Sequence, residues 1–356
     1  MRIWIHRSIG ALLVTALLLN GSVAFATEPV ETEPAETVAT EETVPPETEQ
    51  PAETPTESPA EPAPTEAPEQ PEYYPVDTKS EIYALCDALA EGMSFDQLMV
   101  YDATNDRMLY TNTREGDKLY PASITKLFSS YVALQYLKPS DILTTGDELK
   151  LVQPGSSKAY IGRGQQLYVK TVVEGMMLPS GNDAAMVLAA AAGWKIAEDR
   201  SLSPEEAVQV FVQEMNRMAR EVGFERTHFS NPDGWHTGSH YTCLNDMARI
   251  AKLALENDTI SRYMRMGKDE EVVFVSGHTA TWENTNSLVS GKDGFYRRDA
   301  IGMKTGYTRQ AENCLMSAFR CSDGRNLVIG VFGYADSNQR FRDVIALADA
   351  CKAQLK

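Results

Sequence analysis

The chain has 356 residues, enough for one large domain or two small ones. Its formal net charge of −17 is concentrated in residues 27–72, which hold 14 Glu and 11 of the 18 Pro but no Lys or Arg. Without these Glu, and without Arg2 and Arg7 before them, residues 73–356 carry a charge of −5. A domain with this net charge shows no basic stripe of the kind that nucleic-acid binding needs, so we do not expect nucleic acid to be a partner.

Residues 1–26 have the pattern of a signal peptide. Arg2 and Arg7 precede an apolar run over 9–19, and residues 24–26 read Ala-Phe-Ala, a small-x-small cleavage site. The run is shorter than the roughly 20 residues that a membrane-spanning helix needs, although an uncleaved anchor is the alternative. We therefore expect cleavage after Ala26 and a secreted, extracytoplasmic protein.

Residues 27–72 repeat Glu, Pro, Thr and Ala without an aromatic residue. Such a segment cannot bury enough apolar surface to offset the entropy of ordering it, so we predict a disordered linker. The folded domain is predicted to span 73–356. Five cysteines in an exported chain leave at least one unpaired, and a bridge between Cys86 and Cys351 stays open.

The predicted elements of the folded part form a simple order along the chain. A first helix over 79–91 is followed by a strand pair over 97–102 and 107–112, and a second helix has its apolar pattern over 123–137. The other predicted helices are 169–177, 183–193, 204–222, 244–256 and 338–353. The other predicted strands are 271–276, 300–304, 311–320 and 326–334. Strands at both ends around a helical middle predict an α+β fold, with one sheet against a helical subdomain.

The first of three short motifs is Ser123-Ile124-Thr125-Lys126, at the start of the second predicted helix. Residues three apart share a helix face, so the Ser123 hydroxyl and the Lys126 amine can meet. A serine hydroxyl becomes a nucleophile when a neighbouring base takes its proton, and a lysine with a lowered pKa can act as that base. By itself the pattern also fits a helix N-cap followed by a surface lysine.

The second motif is Ser180-Gly181-Asn182, between two predicted helices. Ser180 can relay a proton to a leaving group, and Asn182 can bond both Lys126 and a substrate amide. The same residues are also typical of a plain turn between helices.

The third motif is Lys304-Thr305-Gly306, predicted to close the strand that begins near Ala300. A strand edge can receive an extended peptide, and a glycine there lets the peptide backbone approach closely. Lys304 and Thr305 suit a terminal carboxylate. The alternative is a strand that simply ends in a turn.

Ser-x-x-Lys, Ser-x-Asn and Lys-Thr-Gly in this order are the motifs of penicillin-binding proteins and class A β-lactamases. Four further runs strengthen the likeness: residues 178–185, 211–216, 227–234 and 302–308. Together they make the chain resemble the D-alanyl-D-alanine carboxypeptidase family of low-molecular-mass penicillin-binding proteins over roughly 75–353. The resemblance implies a β-lactamase/transpeptidase-like fold, with an antiparallel sheet of about five strands packed against a helical lobe.

The resemblance also implies roles for individual residues. Ser123 is the expected nucleophile and Lys126 its general base. Ser180 and Asn182 assist proton transfer, and Lys304 holds the substrate carboxylate. The substrate-binding residues implied along this strand are Lys304, Thr305, Gly306 and Tyr307. The backbone N–H groups of Ser123 and Tyr307 are expected to form the oxyanion hole.

The expected reaction is removal of the terminal D-Ala from peptidoglycan stem pentapeptides through an acyl-enzyme, with β-lactams as covalent inhibitors. The resemblance calls for no cofactor. Because the chain ends 52 residues after Lys304, we expect no C-terminal membrane-binding helix of the kind that many relatives carry.

Two other functions remain as alternatives. A class A-like β-lactamase would carry Ser-Asp-Asn in place of Ser180-Gly181-Asn182, and a deacylating Glu in a Glu-x-x-x-Asn run, which residues 183–303 lack. A catalytically silent wall-binding module would usually have lost Ser123 or Lys126. His236 and His240 lie four residues apart, but in a loop that carries Gly and Ser instead of on a helix, and we assign no metal.

Overall fold

The computed structural model describes residues 74–113 and 117–355. The predictions of a signal peptide over 1–26 and a linker over 27–72 lie outside the described residues. Among the helices of the described part, none is both long and apolar enough to cross a membrane.

The described residues form nine strands and nine α-helices. The strands are β1 (Gln97–Asp102), β2 (Arg107–Thr111), β3 (Ile142–Thr144), β4 (Gln166–Tyr168), β5 (Lys268–Val273), β6 (Thr279–Glu283), β7 (Ala300–Thr308), β8 (Glu312–Arg320) and β9 (Asn326–Tyr334). The helices are α1 (Glu81–Ala90), α2 (Thr125–Ala133), α3 (Val169–Met177), α4 (Asn182–Ile196), α5 (Pro204–Glu221), α6 (Leu244–Glu256), α7 (Asp258–Met264), α8 (Ser287–Ser290) and α9 (Gln339–Gln354).

Five strands form the main sheet in the order β2-β1-β9-β8-β7, and every neighbouring pair is antiparallel. The predicted α+β fold with a five-stranded antiparallel sheet is therefore confirmed. β1 enters the sheet between β2 and β9, so segments far apart in sequence lie side by side. β7 is an edge strand of this sheet, because β8 is its one neighbour among the described strands.

Helices cover both faces of the main sheet. α1 and α9 contribute Ile82, Phe341 and Leu347 to an apolar cluster on one face. The other face meets a larger cluster built from α2 to α7. Because both faces are covered, β9 is an almost continuous apolar run over 327–332 instead of an alternating one.

The helical lobe is organised around α4, whose residues from Asn182 to Gly193 are all buried. Six of them are alanines, and such small side chains let the neighbouring helices α2, α3 and α5 approach closely. α5 begins with a capping box, in which Ser203 and Glu206 bond each other's backbone N–H groups and Pro204 occupies the first helical position. The lobe therefore gives α2 and the start of α4 fixed positions.

Several predicted boundaries were wrong. The helix predicted over 123–137 is a 3-10 turn (Ala122–Ile124) followed by α2, which ends at Ala133. β7 continues to Thr308, so Lys304-Thr305-Gly306 lies within the strand and does not close it. The strand predicted over 271–276 is β5, which lies three residues earlier, and the short elements β3, β4, β6, α7 and α8 were missed.

The five cysteines are all buried and all free thiols. Cys86 of α1 and Cys351 of α9 have their Sγ atoms 3.4 Å apart. The bridge left open by the sequence is therefore not formed in this structure, although the two thiols are in contact where the helices pack on the sheet.

Candidate active site

Ser123 lies in the 3-10 turn just before α2 and is partly exposed at the base of a cleft. Its neighbour Ala122 has φ +47°, a conformation that costs free energy for a residue with a Cβ. The edge strand β7 passes close to this turn, since a Cβ on Gly306 would lie 2.9 Å from the carbonyl oxygen of Pro121. Ser123 is therefore held in a constrained turn between α2 and β7.

Lys126 is the centre of the polar contacts beneath Ser123. Its Nζ lies 2.8 Å from Ser123 Oγ and 2.8 Å from Asn182 Oδ1. The same Nζ lies 2.7 Å from the carbonyl oxygen of Asp233. An ammonium group has three N–H donors, so each donor has one acceptor here. This set of acceptors fixes the amine against the serine hydroxyl.

The Lys126 side chain is 0% exposed. Burial lowers the pKa of its amine to about 8, although the carboxylates of Asp233 and Asp183 act in the opposite direction. A lysine with this pKa is partly neutral near neutral pH and can accept a proton. The neutral Lys126 amine can therefore take the proton of the Ser123 hydroxyl.

Ser180 and Asn182 lie where α3 gives way to α4. Ser180 is buried with φ +61°, in the loop between the two helices, and Asn182 begins α4. The neighbouring Asp183 fixes this junction, because its carboxylate accepts from the backbone N–H of Ala159 at 2.8 Å and of Ile161 at 3.0 Å. The junction therefore presents Ser180 to the cleft and the Asn182 side chain to Lys126.

The Lys-Thr-Gly motif follows the edge of the cleft along β7. Thr305, Gly306 and Tyr307 line the cavity, and the Thr305 hydroxyl lies 2.6 Å from that of Thr285. Lys304 is 0% exposed and does not line the cavity; its Nζ donates to the carbonyl oxygen of Thr305 at 3.1 Å. An unpaired strand edge here can bind an extended peptide.

Arg340 of α9 adds a second cation behind the same strand. Its Nη1 donates to the carbonyl oxygen of Cys314 at 2.8 Å, and its Nε has no partner among the described residues. Burial, together with the charges of Lys126 and Arg340, lowers the pKa of Lys304 well below its usual value. Arg340 lines the cavity, and its guanidinium favours an anion in the cleft.

The cleft has a volume of about 860 Å³. Ser123, Ser180 and Asn182 line one side, and residues 305–310 with Arg340 line another. A cavity of this size accepts a short peptide, with a nucleophile, a base and an anion-binding wall around it. The arrangement is chemically suited to acyl transfer at a peptide bond next to a free carboxylate.

The family model for D-alanyl-D-alanine carboxypeptidase matches residues 88–335. This span includes the three motifs and most of the chain. The chain belongs to the D-alanyl-D-alanine carboxypeptidase family.

Curated members of this family are similar in sequence. D-alanyl-D-alanine carboxypeptidase DacF of Bacillus subtilis is 30% identical over 254 residues, which are 70% of this chain and 59% of the relative. The D-alanyl-D-alanine carboxypeptidase of Streptomyces sp. K15 is 33% identical over 181 residues, 49% of this chain and 57% of the relative. The chain therefore spans less than two thirds of the length of these curated relatives.

The fold is also similar to that of a solved structure. The crystal structure of the Streptomyces K15 DD-transpeptidase is 26% identical, with a TM-score of 0.62, over 72% of this chain and 96% of that chain. The carboxypeptidase family and its structural neighbours thus share the sheet-and-helix architecture described above.

Arg340 and Asp233 line the cleft but are absent from the predicted site residues. Arg340 lies outside the three motifs, and nothing in its local sequence separates it from the surface arginines of a helix. Asp233 lies in a run that supported the family resemblance, but no role followed from the run itself. Both reach the site through tertiary packing between segments more than 30 residues from the nearest motif residue.

Proposed function

We propose that this chain is a serine-type D-Ala-D-Ala carboxypeptidase that removes the terminal D-Ala from peptidoglycan stem pentapeptides. The observation that carries the proposal is the 2.8 Å contact between Ser123 Oγ and the buried Nζ of Lys126, at the base of a cleft bordered by an edge strand. Membership of the carboxypeptidase family supports the substrate class.

In the first half of the reaction, neutral Lys126 takes the proton of the Ser123 hydroxyl. The oxygen attacks the carbonyl carbon between the two terminal D-Ala residues, and the tetrahedral intermediate collapses to an ester on Ser123. The leaving amine receives its proton through Ser180, while Asn182 holds Lys126 in place. The backbone N–H groups of Ser123 and Tyr307 stabilise the oxyanion.

In the second half, water attacks the ester and Lys126 again serves as the base. The products are the shortened peptide and free Ser123. A β-lactam enters the same path as a covalent inhibitor, because its ring amide acylates Ser123. The proposal requires no metal and no cofactor.

The substrate lies along the free edge of β7 as an added strand. Its terminal carboxylate meets the Thr305 hydroxyl and the guanidinium of Arg340, and Lys304 lies buried behind them. Gly306 lets the peptide backbone approach the strand. The family acts on peptidoglycan, so the proposed site of action is outside the cytoplasm, in agreement with the signal peptide predicted over 1–26.

The test is release of D-alanine from a synthetic stem pentapeptide. Ser123→Ala is expected to lower the rate at least about 1,000-fold, because the acyl-enzyme cannot form. Ser130→Ala is the matched control, since Ser130 is a buried serine of α2, the helix that follows Ser123, and its hydroxyl contacts Met176 Sδ. Equal activity of Ser123→Ala and wild type contradicts the proposal.

A further inference from the structure

Cys86 and Cys351 bring two thiols together on the face of the main sheet that α1 and α9 cover. Their Sγ atoms are 3.4 Å apart, and both residues are 0% exposed. A disulfide holds its sulfur atoms about 2.0 Å apart, so rotation of the two side chains must close a gap of roughly 1.4 Å. The two helices already pack against each other, and the bond therefore needs little movement of the backbone.

The pairing of α1 with α9 places these thiols opposite each other. Gln354 of α9, three residues after Cys351, donates from its Nε2 to Glu81 Oε2 of α1 at 2.5 Å. Cys86 follows Glu81 along α1, whereas Cys351 precedes Gln354 along α9, so the two helices run in opposite directions. The contact between the sulfur atoms is thus part of a continuous helix pairing.

Residues next to the two cysteines hold each helix in place. The Tyr110 hydroxyl of β2 donates to Asp87 Oδ1 of α1 at 3.1 Å. Lys352 of α9 pairs with the carboxylate of Asp299, just before β7. The two cysteines are 265 residues apart in sequence, and the fold itself supplies the loop closure that brings them together.

We propose that Cys86 and Cys351 form a disulfide that joins α1 to α9. The inference rests on the proposed site of action outside the cytoplasm, where disulfides form and persist, and not on the catalytic steps. The structure describes the reduced form of the pair. The bond closes a loop that contains the whole candidate site, and it fixes the helix that carries Arg340.

The reaction is thiol–disulfide exchange with a small-molecule disulfide as the oxidant. The thiolate of one cysteine attacks a sulfur of the oxidant, and the first small thiolate leaves. The thiolate of the other cysteine then attacks the protein sulfur of this mixed disulfide, and the second small thiolate leaves. The two cysteines lose two protons and two electrons, and the oxidant is reduced to two thiols.

Burial decides when this bond can form. Neither thiol is exposed, and the contact with Cys86 together with burial raises the pKa of Cys351, so its thiolate is scarce in the folded protein. Exchange is therefore expected while α1 or α9 is not yet docked on the sheet. Once both helices are docked, the finished bond is shielded from reductants.

The test is to unfold the full chain in denaturant with a reductant and to refold it in a mixture of oxidised and reduced glutathione. The monomeric fraction is then denatured and its free thiols are blocked with N-ethylmaleimide before mass spectrometry and peptide mapping. Three of the five thiols should be blocked, and one cross-linked peptide pair should hold Cys86 and Cys351. The oxidised chain should melt about 5 °C or more above the reduced chain, because a long loop is closed.

Cys86→Ser should leave four blocked thiols and abolish the difference in melting temperature. Cys243→Ser is the matched control, because Cys243 is a buried cysteine at the N-cap of α6, a position that suits serine. This control should keep both the cross-link and the temperature difference. Where Cys86→Ser does not fold, Cys351→Ser breaks the same pair, and the peptide map of the wild type needs no variant.

Five blocked thiols in the refolded wild type overturn the inference, and so does a cross-link that joins other cysteines. A chain that forms the predicted bond but releases no D-alanine supports the inference and contradicts the proposed function alone.

Discussion

At the scale of single residues, Gly234 shows how backbone packing fixes the nucleophile. It has φ +85°, and a Cβ there would lie 1.8 Å from the carbonyl oxygen of Ala122, the residue before Ser123. Side chains are rare in this backbone region, and here there is also no room for one. The loop of Asp233 and the turn of Ser123 therefore touch backbone to backbone.

Gly234→Ala is expected to destabilise the protein by about 3 kcal/mol or more, through strain and overlap with Ala122. Gly277→Ala is the matched control, because Gly277 has φ +82° but no atom within 4 Å of the position that a Cβ would take. Gly277→Ala should lower the free energy of unfolding by about 1–2 kcal/mol, through backbone strain alone. Urea unfolding of the two variants measures the difference, and equal costs would refute the packing argument.

Arg340 is expected to bind the substrate carboxylate. In Arg340→Gln we expect KM for the pentapeptide to rise about tenfold or more with a smaller change in kcat, because the carboxylate contact exists before and during the reaction. Arg342→Gln is the control: Arg342 is an exposed arginine of the same helix, with its guanidinium 5.8 Å from the Phe295 ring. An unchanged KM in a folded Arg340 variant contradicts this assignment.

At the scale of elements, the sequence predicts some segments well. The strands over 97–102 and 326–334 and the helix over 244–256 are confirmed, because each carries a clear apolar period or a bounded apolar run. The helix predicted over 123–137 was too long, since periodicity does not reveal that Leu134 already ends the hydrogen-bonding pattern. β3 and β4 have three residues each, too few for a period to appear.

Glu174 of α3 is expected to make the stability of the protein depend on pH. Its side chain is buried, with Oε1 lacking a partner among the described residues, and it faces Asp269 of β5. Burial and the neighbouring Asp269 raise the pKa of Glu174 to about 8. In the unfolded chain this group ionises near a pKa of about 4.3, so the folded state binds the extra proton between that pH and about 8. The free energy of unfolding therefore falls as pH rises through this window.

Glu174→Gln removes this titration while preserving shape. Relative to wild type, the variant should gain about 2 kcal/mol at about pH 8, after allowance for solvent screening, and little at about pH 5. Exposed Glu205→Gln on α5 serves as the control. Urea unfolding at the two pH values provides the readout, and a gain of equal size at both would show that ionisation of Glu174 is not the cause.

At the scale of the whole molecule, the site depends on contacts between distant segments. Lys126, Asn182 and Asp233 meet at one amine although 107 residues separate the first from the last. The three motifs could be found in the sequence because each is short and local. The place where the motifs meet, the contact of Asp233 with Lys126 and the position of the Arg340 guanidinium could not be found in this way. Each depends on how the helical lobe and the sheet pack together.

The central claim is that Ser123 becomes acylated, and the most direct measurement is intact-mass spectrometry after brief exposure to benzylpenicillin. The account predicts a lasting adduct of one drug mass on the wild type and none on Ser123→Ala. Rapid drug hydrolysis without a lasting adduct would favour a β-lactamase. A wild type that neither gains the mass nor consumes the drug would contradict the account.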